Sequence, residues 1–149
     1  MPPLSSQATG MLIGGFLAAV LFGIGNLFSK ASAEAGIGLG IFIIIVGLAV
    51  TIVGCIIYLL IPDPLVSMRS ALSASGLGFM WGLGTACVVI ALQKYNVPLG
   101  SLVPLYNMNT LIAVTLALWI FSEWRQVHVF QLVIGSLFIV LGGVLVARA

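Results

Sequence analysis

Apolar residues run along this chain in long unbroken blocks, not in the alternating or striped patterns of a water-soluble domain. Five blocks stand out, at about residues 10–28, 37–61, 73–92, 99–121 and 127–147, each near the roughly 20 residues an α-helix needs to cross a bilayer core. The breaks between them, SKASAEAG, PDPLVSMRSAL, QKYNVP and SEWRQ, carry charges or prolines that resist burial in lipid. Backbone groups in lipid must be paired internally, so the pattern predicts an all-α integral membrane protein: a five-transmembrane-helix bundle forming a single domain over residues 1–149. Short breaks also predict that helices adjacent in sequence are mostly adjacent in space. The first block is expected to be retained as a span, although ASA at Ala31–Ala33 resembles a cleavage site. The leader MPPLSSQATG carries no Lys or Arg, and the block is longer than the roughly 7–15 residues of a signal core.

Composition narrows the function classes. Only 5% of the residues are charged, against roughly 25% in soluble domains, so whatever the chain does it is expected to do inside a membrane, most simply the cell membrane. The formal charge of +2 is spread singly along the chain, without the basic run that nucleic acid or an anionic lipid patch requires. No nucleic-acid partner is expected. The acids Glu34, Asp63 and Glu123 and the single His128 stand at or near helix ends, which provides neither a nucleophile with its base nor a metal-ligand set. No catalysis, metal or cofactor is expected. Cys55 and Cys87 each stand alone in an apolar block and read as small packing residues.

Polar residues inside the blocks carry the functional signal. The fourth block holds Tyr106, Asn107, Asn109 and Thr110 directly behind Pro104. At 100° per residue these four fall on one half of the helical wheel with Val103, Ala113, Val114 and Ala117, while Met108, Leu111, Ile112 and Trp119 fall on the other. The wheel therefore predicts an inward polar face on that helix. The first block gathers Gly15, Ala19, Phe22, Gly23, Asn26 and Lys30 on one face, the third Gly78, Trp81, Gly82 and Thr85, and the fifth Gln131, Gly135, Phe138 and Gly142. The second block, with only Thr51, Cys55 and Tyr58 as interruptions, reads as a lipid-facing support. Glycine pairs four apart (Gly10 and Gly14, Gly36 and Gly40, Gly78 and Gly82) or seven apart (Gly47 and Gly54, Gly135 and Gly142) predict close helix contacts.

Two explanations of the polar interior compete. Asn and Thr side chains can simply hydrogen-bond between helices, at about 0.6 kcal/mol each. Alternatively Pro104 breaks the helical ladder where Tyr106, Asn107 and Asn109 can meet a solute, as discontinuous helices do in transporters. The density of polar groups behind one proline favours the second. The expected solute-binding residues are Asn26 and Lys30 on the first helix, Trp81 on the third, and Tyr106, Asn107, Asn109 and Thr110 on the fourth, with Pro104 as the helix break. Lys30 and Glu123 also suit ordinary membrane-boundary positions, and Tyr95, Trp119 and Trp124 suit interfacial anchors.

The final stretch ALQKYNVPLGSLVPLYNMNTLIAVTLALWIFSEWRQVHVFQLVIGSLFIVLGGVLVARA resembles the EamA-like domain of the drug/metabolite transporter superfamily. The features that carry the resemblance are Pro104 early in the fourth helix, Glu123 closing it, Gly135, Phe138 and Gly142 in the last helix, and Gly23, Asn26 and Lys30 in LFGIGNLFSK. Leu137 stands one place before the leucine position of the family pattern, the arginine common early in helix two is missing, and helix one has no membrane glutamate. The resemblance implies one five-helix half of an inverted-repeat secondary transporter, exporting or exchanging a small polar or amphipathic metabolite by alternating access, without proton coupling through a helix-one glutamate. Five helices are half of such a carrier, so a second half of opposite orientation is implied, as a homodimer, possibly antiparallel, or with a partner membrane subunit. Arg69 and Arg125 flank one side, and Lys30, Lys94 and Arg148 the other, a balance that permits dual topology. The competing expectation is a non-transporting membrane subunit that packs into a larger complex.

Overall fold

The computed structural model of the protein describes residues 4–61, 66–122 and 127–148. Those residues are mostly helical and contain no strand. Helices α1 (Leu4–Met11) and α2 (Ala18–Glu34) are joined through a π-helical segment, Leu12–Leu17, whose flanking residues keep helical dihedrals, so the three run on as one rod. Then come α3 (Leu39–Leu60), α4 (Met68–Lys94), α5 (Leu99–Tyr106), α6 (Asn109–Ile120) and α7 (Val129–Ala147). Five helical stretches are long and apolar enough to cross a membrane: Ala8–Glu34, Leu39–Leu60, Met68–Lys94, Leu99–Ile120 and Val129–Val146. The chain is thus all-α with five candidate membrane spans, as the hydrophobic blocks predict.

Several boundaries move outward from the apolar blocks, each for a local reason. The first span continues to Glu34, where Ala31, Ala33 and Glu34 are good helix formers, and it ends in a Schellman motif. There Gly36 takes φ +77°, its amide donates to the Ala33 carbonyl at 3.1 Å, and the Ile37 amide donates to the Ser32 carbonyl at 3.4 Å. Gly36 is therefore a helix terminator, not half of a packing pair with Gly40. The third span starts at Met68 inside the polar break, because Ser67 and Ser70 form a reciprocal cap. The Ser70 amide donates to Ser67 Oγ, and the Ser67 amide donates to Ser70 Oγ, each at 3.1 Å. Asp63, Glu123, Trp124 and Arg125 lie outside the described residues.

The chain divides into two compact units, Met1–Tyr95 and Asn96–Ala149. In the first, α4 packs against both α2 and α3. Its buried hydrophobic side chains are Phe42 on α3 and Val89 and Leu92 on α4, Val89 completely so. The core therefore sits where α3 begins and α4 ends, and Gln93 fastens that end by donating from Nε2 to the Ile37 carbonyl at 2.7 Å. The first helix thus packs on the third, a pairing that adjacency in sequence does not predict. The far half of α3, from Ala49 to Leu60, is exposed throughout, which fits the lipid-facing support expected of the second span.

In the second unit α7 lies mainly against α5 and to a lesser extent against α6. Among its described residues the buried positions are Ser136 and Gly143, seven residues apart and so on one face of the helix. Ser136 satisfies its hydroxyl on its own helix, donating to the Leu132 carbonyl at 2.8 Å. Gly135 and Phe138, expected on the contact face, are exposed, and Gly142 is only half-buried. The seam lies one residue along from the predicted one, about 100° around the helix.

That register is set by a single close approach. A Cβ on Gly143 would lie 2.7 Å from the Pro104 carbonyl oxygen and 3.4 Å from its carbonyl carbon, whereas a Cβ on any other glycine would meet nothing within 4 Å. The glycine pairs four and seven apart therefore do not mark close contacts within either unit. Gly143 does, and in glycine the hydrogen that replaces Cβ points at the carbonyl, the arrangement of the weak Cα–H···O contacts found between packed helices.

Candidate functional site

The fourth span is interrupted. Proline has no amide hydrogen, so Pro104 cannot donate to the Gly100 carbonyl one turn back. The helix nevertheless continues past it to Tyr106, and the interruption falls at Asn107 and Met108. There the hydrogen bonds shorten their span. Asn107 still donates to Val103 at 3.1 Å, but Met108 donates to Leu105 at 3.2 Å, Thr110 to Asn107 at 3.0 Å and Leu111 to Met108 at 3.0 Å. Three bonds thus close three residues back where an α-helix closes four back. Asn107 and Met108 have ψ of −8° and −16°, near the shallow edge of the helical region. Because Met108 donates to Leu105, the Pro104 carbonyl is turned out of the ladder, and this is the oxygen that faces Gly143.

The break decides which side chains face where. Tyr106, Thr110, Val114 and Ala117 are half-buried, as the wheel predicts. Asn107, Asn109 and Ala113, predicted on the same inward face, are exposed, while Met108 and Leu111, predicted to face lipid, are half-buried. The departures cluster at residues 107–113, at and just after the turn where three-residue hydrogen bonds replace the regular 100° advance per residue. The two carboxamides are displayed on the surface of the unit at one point along the span. Counting from Leu99, that point is about 12 Å along the helix, inside the roughly 30 Å of hydrocarbon.

The remaining candidates lie in the first unit. Asn26 and Lys30 are half-buried and one turn apart on α2. Lys30 Nζ is 3.1 Å from Glu34 Oε1, so the ammonium that the sequence presents as an inward cation is paired on its own helix. Gly15, Ala19, Phe22 and Gly23, expected on the same face, are exposed. The packed face of α2 is therefore confined to its last turns. Trp81, midway along α4, is 49% exposed, and its carbonyl accepts a hydrogen bond from the Thr85 hydroxyl at 2.8 Å. Among the described residues, no group of three or more His, Cys, Asp or Glu could hold a metal ion.

Sequence reasoning missed three contributors. Gln93 is an amide at the end of an apolar block, and its position was a usable signal for a structural hydrogen bond. Glu34 stands four residues after Lys30, the spacing of an intrahelical ion pair. Gly143 is the second glycine of a doublet, and nothing local distinguishes it from Gly142. No protein-family model, curated protein or solved structure matches the chain.

Proposed function

We propose that the five spans form one half of a secondary membrane transporter for a small polar or amphipathic solute. A second copy of opposite orientation, or a partner subunit, completes the carrier. The observation that carries this reading is the break at Asn107–Met108, which presents two carboxamides on the surface of an apolar span. An amide facing hydrocarbon without a partner costs several kcal/mol. Asn107 and Asn109 therefore need water, a solute or another chain beside them. Irregular backbone at membrane depth is tolerated where it lines a cavity or is covered by protein, and transporters place solute sites at such discontinuities. Tyr106 and Thr110, half-buried at the same break, add hydroxyl groups to the set. In the first unit, Asn26, Lys30 and Trp81 are proposed as solute-binding candidates on the sequence alone.

The test is solute-dependent thermal stability of the purified protein, since a ligand that binds only the folded state raises the melting temperature. A panel of small metabolites is screened against wild type, Asn107→Ala and Tyr106→Phe. A solute that stabilises wild type and neither variant supports the reading. Equal stabilisation of all three removes these residues from the site. Loss of assembly in the variants, with no solute effect on wild type, favours the alternative of a non-transporting subunit that uses the carboxamides to hold a partner.

A further inference from the structure

We infer that in the unit Asn96–Ala149 the helices α5 and α7 form a fixed pair, and that α6 turns against them about Asn107–Met108. The inference concerns motion alone, and it stands or falls independently of whether the chain carries a solute.

The fixed part follows from the contact at Gly143. With the Pro104 carbonyl 2.7 Å from the Cβ direction of Gly143, the backbones of α5 and α7 meet directly. Ser136 and Gly143, the buried residues of α7, are both small. Backbone-to-backbone contact leaves no side-chain rotamers to absorb a displacement, so the pair moves together or separates.

The moving part follows from the break. Every residue inside an α-helix is tied to neighbours four positions away, which makes the rod stiff; here Met108, Thr110 and Leu111 bond only three residues back. A few element-terminal residues that can absorb changes in φ and ψ are the usual form of a hinge. Beyond the break, α7 leans on α6 less than on α5. A short rod with a loosened root and a light contact is the element free to swing. The swing would move Asn109 and Thr110, which lie on α6, relative to Tyr106, which lies on α5.

The experiment uses the full chain in lipid nanodiscs, with Cys55→Ala and Cys87→Ala as background. Single cysteines at Leu105→Cys on α5, Leu116→Cys on α6 and Phe138→Cys on α7, all exposed positions, are labelled with a trifluoromethyl thiol reagent and read by fluorine NMR. The α6 label is expected to show two resonances or exchange broadening, and the other two a single line each. Gly143→Ala should split the α5 signal. One sharp line at Leu116→Cys, or the same splitting at all three sites, overturns the inference. Hydrogen exchange on the unsubstituted chain gives an independent reading: peptides over 107–111 should exchange faster than those over 99–104 and 136–143. Equal protection sinks the hinge even where the variants fail to fold.

Discussion

The Pro104 carbonyl oxygen lies 2.7 Å from the position that a Cβ would take on Gly143, so α5 and α7 can meet there only while residue 143 has no side chain. Gly143→Ala should destabilise the folded protein by about 1–3 kcal/mol, the usual cost of overpacking. Gly142→Ala, where a Cβ meets nothing within 4 Å, should be neutral or gain up to about 1 kcal/mol from helix propensity. Reversible unfolding in mixed micelles compares the two directly. Equal effects would place the contact elsewhere.

Gly36 separates conformational need from packing. Its φ of +77° is the left-handed cap that ends α2, and a side chain there costs about 1–2 kcal/mol. Gly36→Ala should lower the melting temperature more than Gly40→Ala, whose Cβ enters open space. If the two paired glycines behaved alike, the packing explanation from their spacing would be restored.

Gln93 ties the end of α4 to the chain before α3. Gln93→Leu removes the donor to the Ile37 carbonyl, and an unsatisfied polar group at a part-buried site costs about 1 kcal/mol or more. Exchange of amides near Ile37 should accelerate in this variant, while those of α7 stay unchanged.

The ion pair of Lys30 and Glu34 is a weak structural element. Its side chains are 36% and 66% exposed, and such pairs contribute less than about 0.5 kcal/mol after solvent screening. Lys30→Met should leave the melting temperature nearly unchanged. A large loss of solute binding in that stable variant would show that the ammonium acts on the solute; no loss would confine Lys30 to the membrane boundary.

The carboxamides at the break give the opposite pattern. Asn107→Leu with Asn109→Leu removes two exposed polar groups from an apolar span, so the protein should fold with an unchanged or higher melting temperature. The stabilisation by any solute found for wild type should vanish. A change of oligomeric state in cross-linking, with no solute effect, would assign the pair to a protein contact.

Orientation is tested with a small tag after Ala149 in sealed vesicles. The near balance of Arg69 and Arg125 against Lys30, Lys94 and Arg148 predicts that the tag is accessible on both sides in comparable amounts. Accessibility on one side alone would rule out an antiparallel pair of identical chains and turn the search to a partner subunit.

The all-helical class and the five spans were legible in the sequence, because lipid leaves the backbone no other way to pair its groups and the block lengths match the bilayer. A break was expected at Pro104, but the helix runs through Pro104 to Tyr106 and is interrupted at Asn107–Met108. The facing of the side chains was not legible. Around the interruption at Asn107–Met108, Asn107 and Asn109 are exposed and Met108 half-buried, the reverse of the regular helical wheel. Nor could spacing alone choose Gly143 over Gly142 or Gly135, because glycines on a helix become contacts only where another backbone arrives. The packing of α4 against both α2 and α3 was likewise a tertiary outcome, since many pairings bury similar apolar surface. One-dimensional hydrophobicity determines what crosses a membrane; which faces meet is decided by backbone proximity and by single hydrogen bonds.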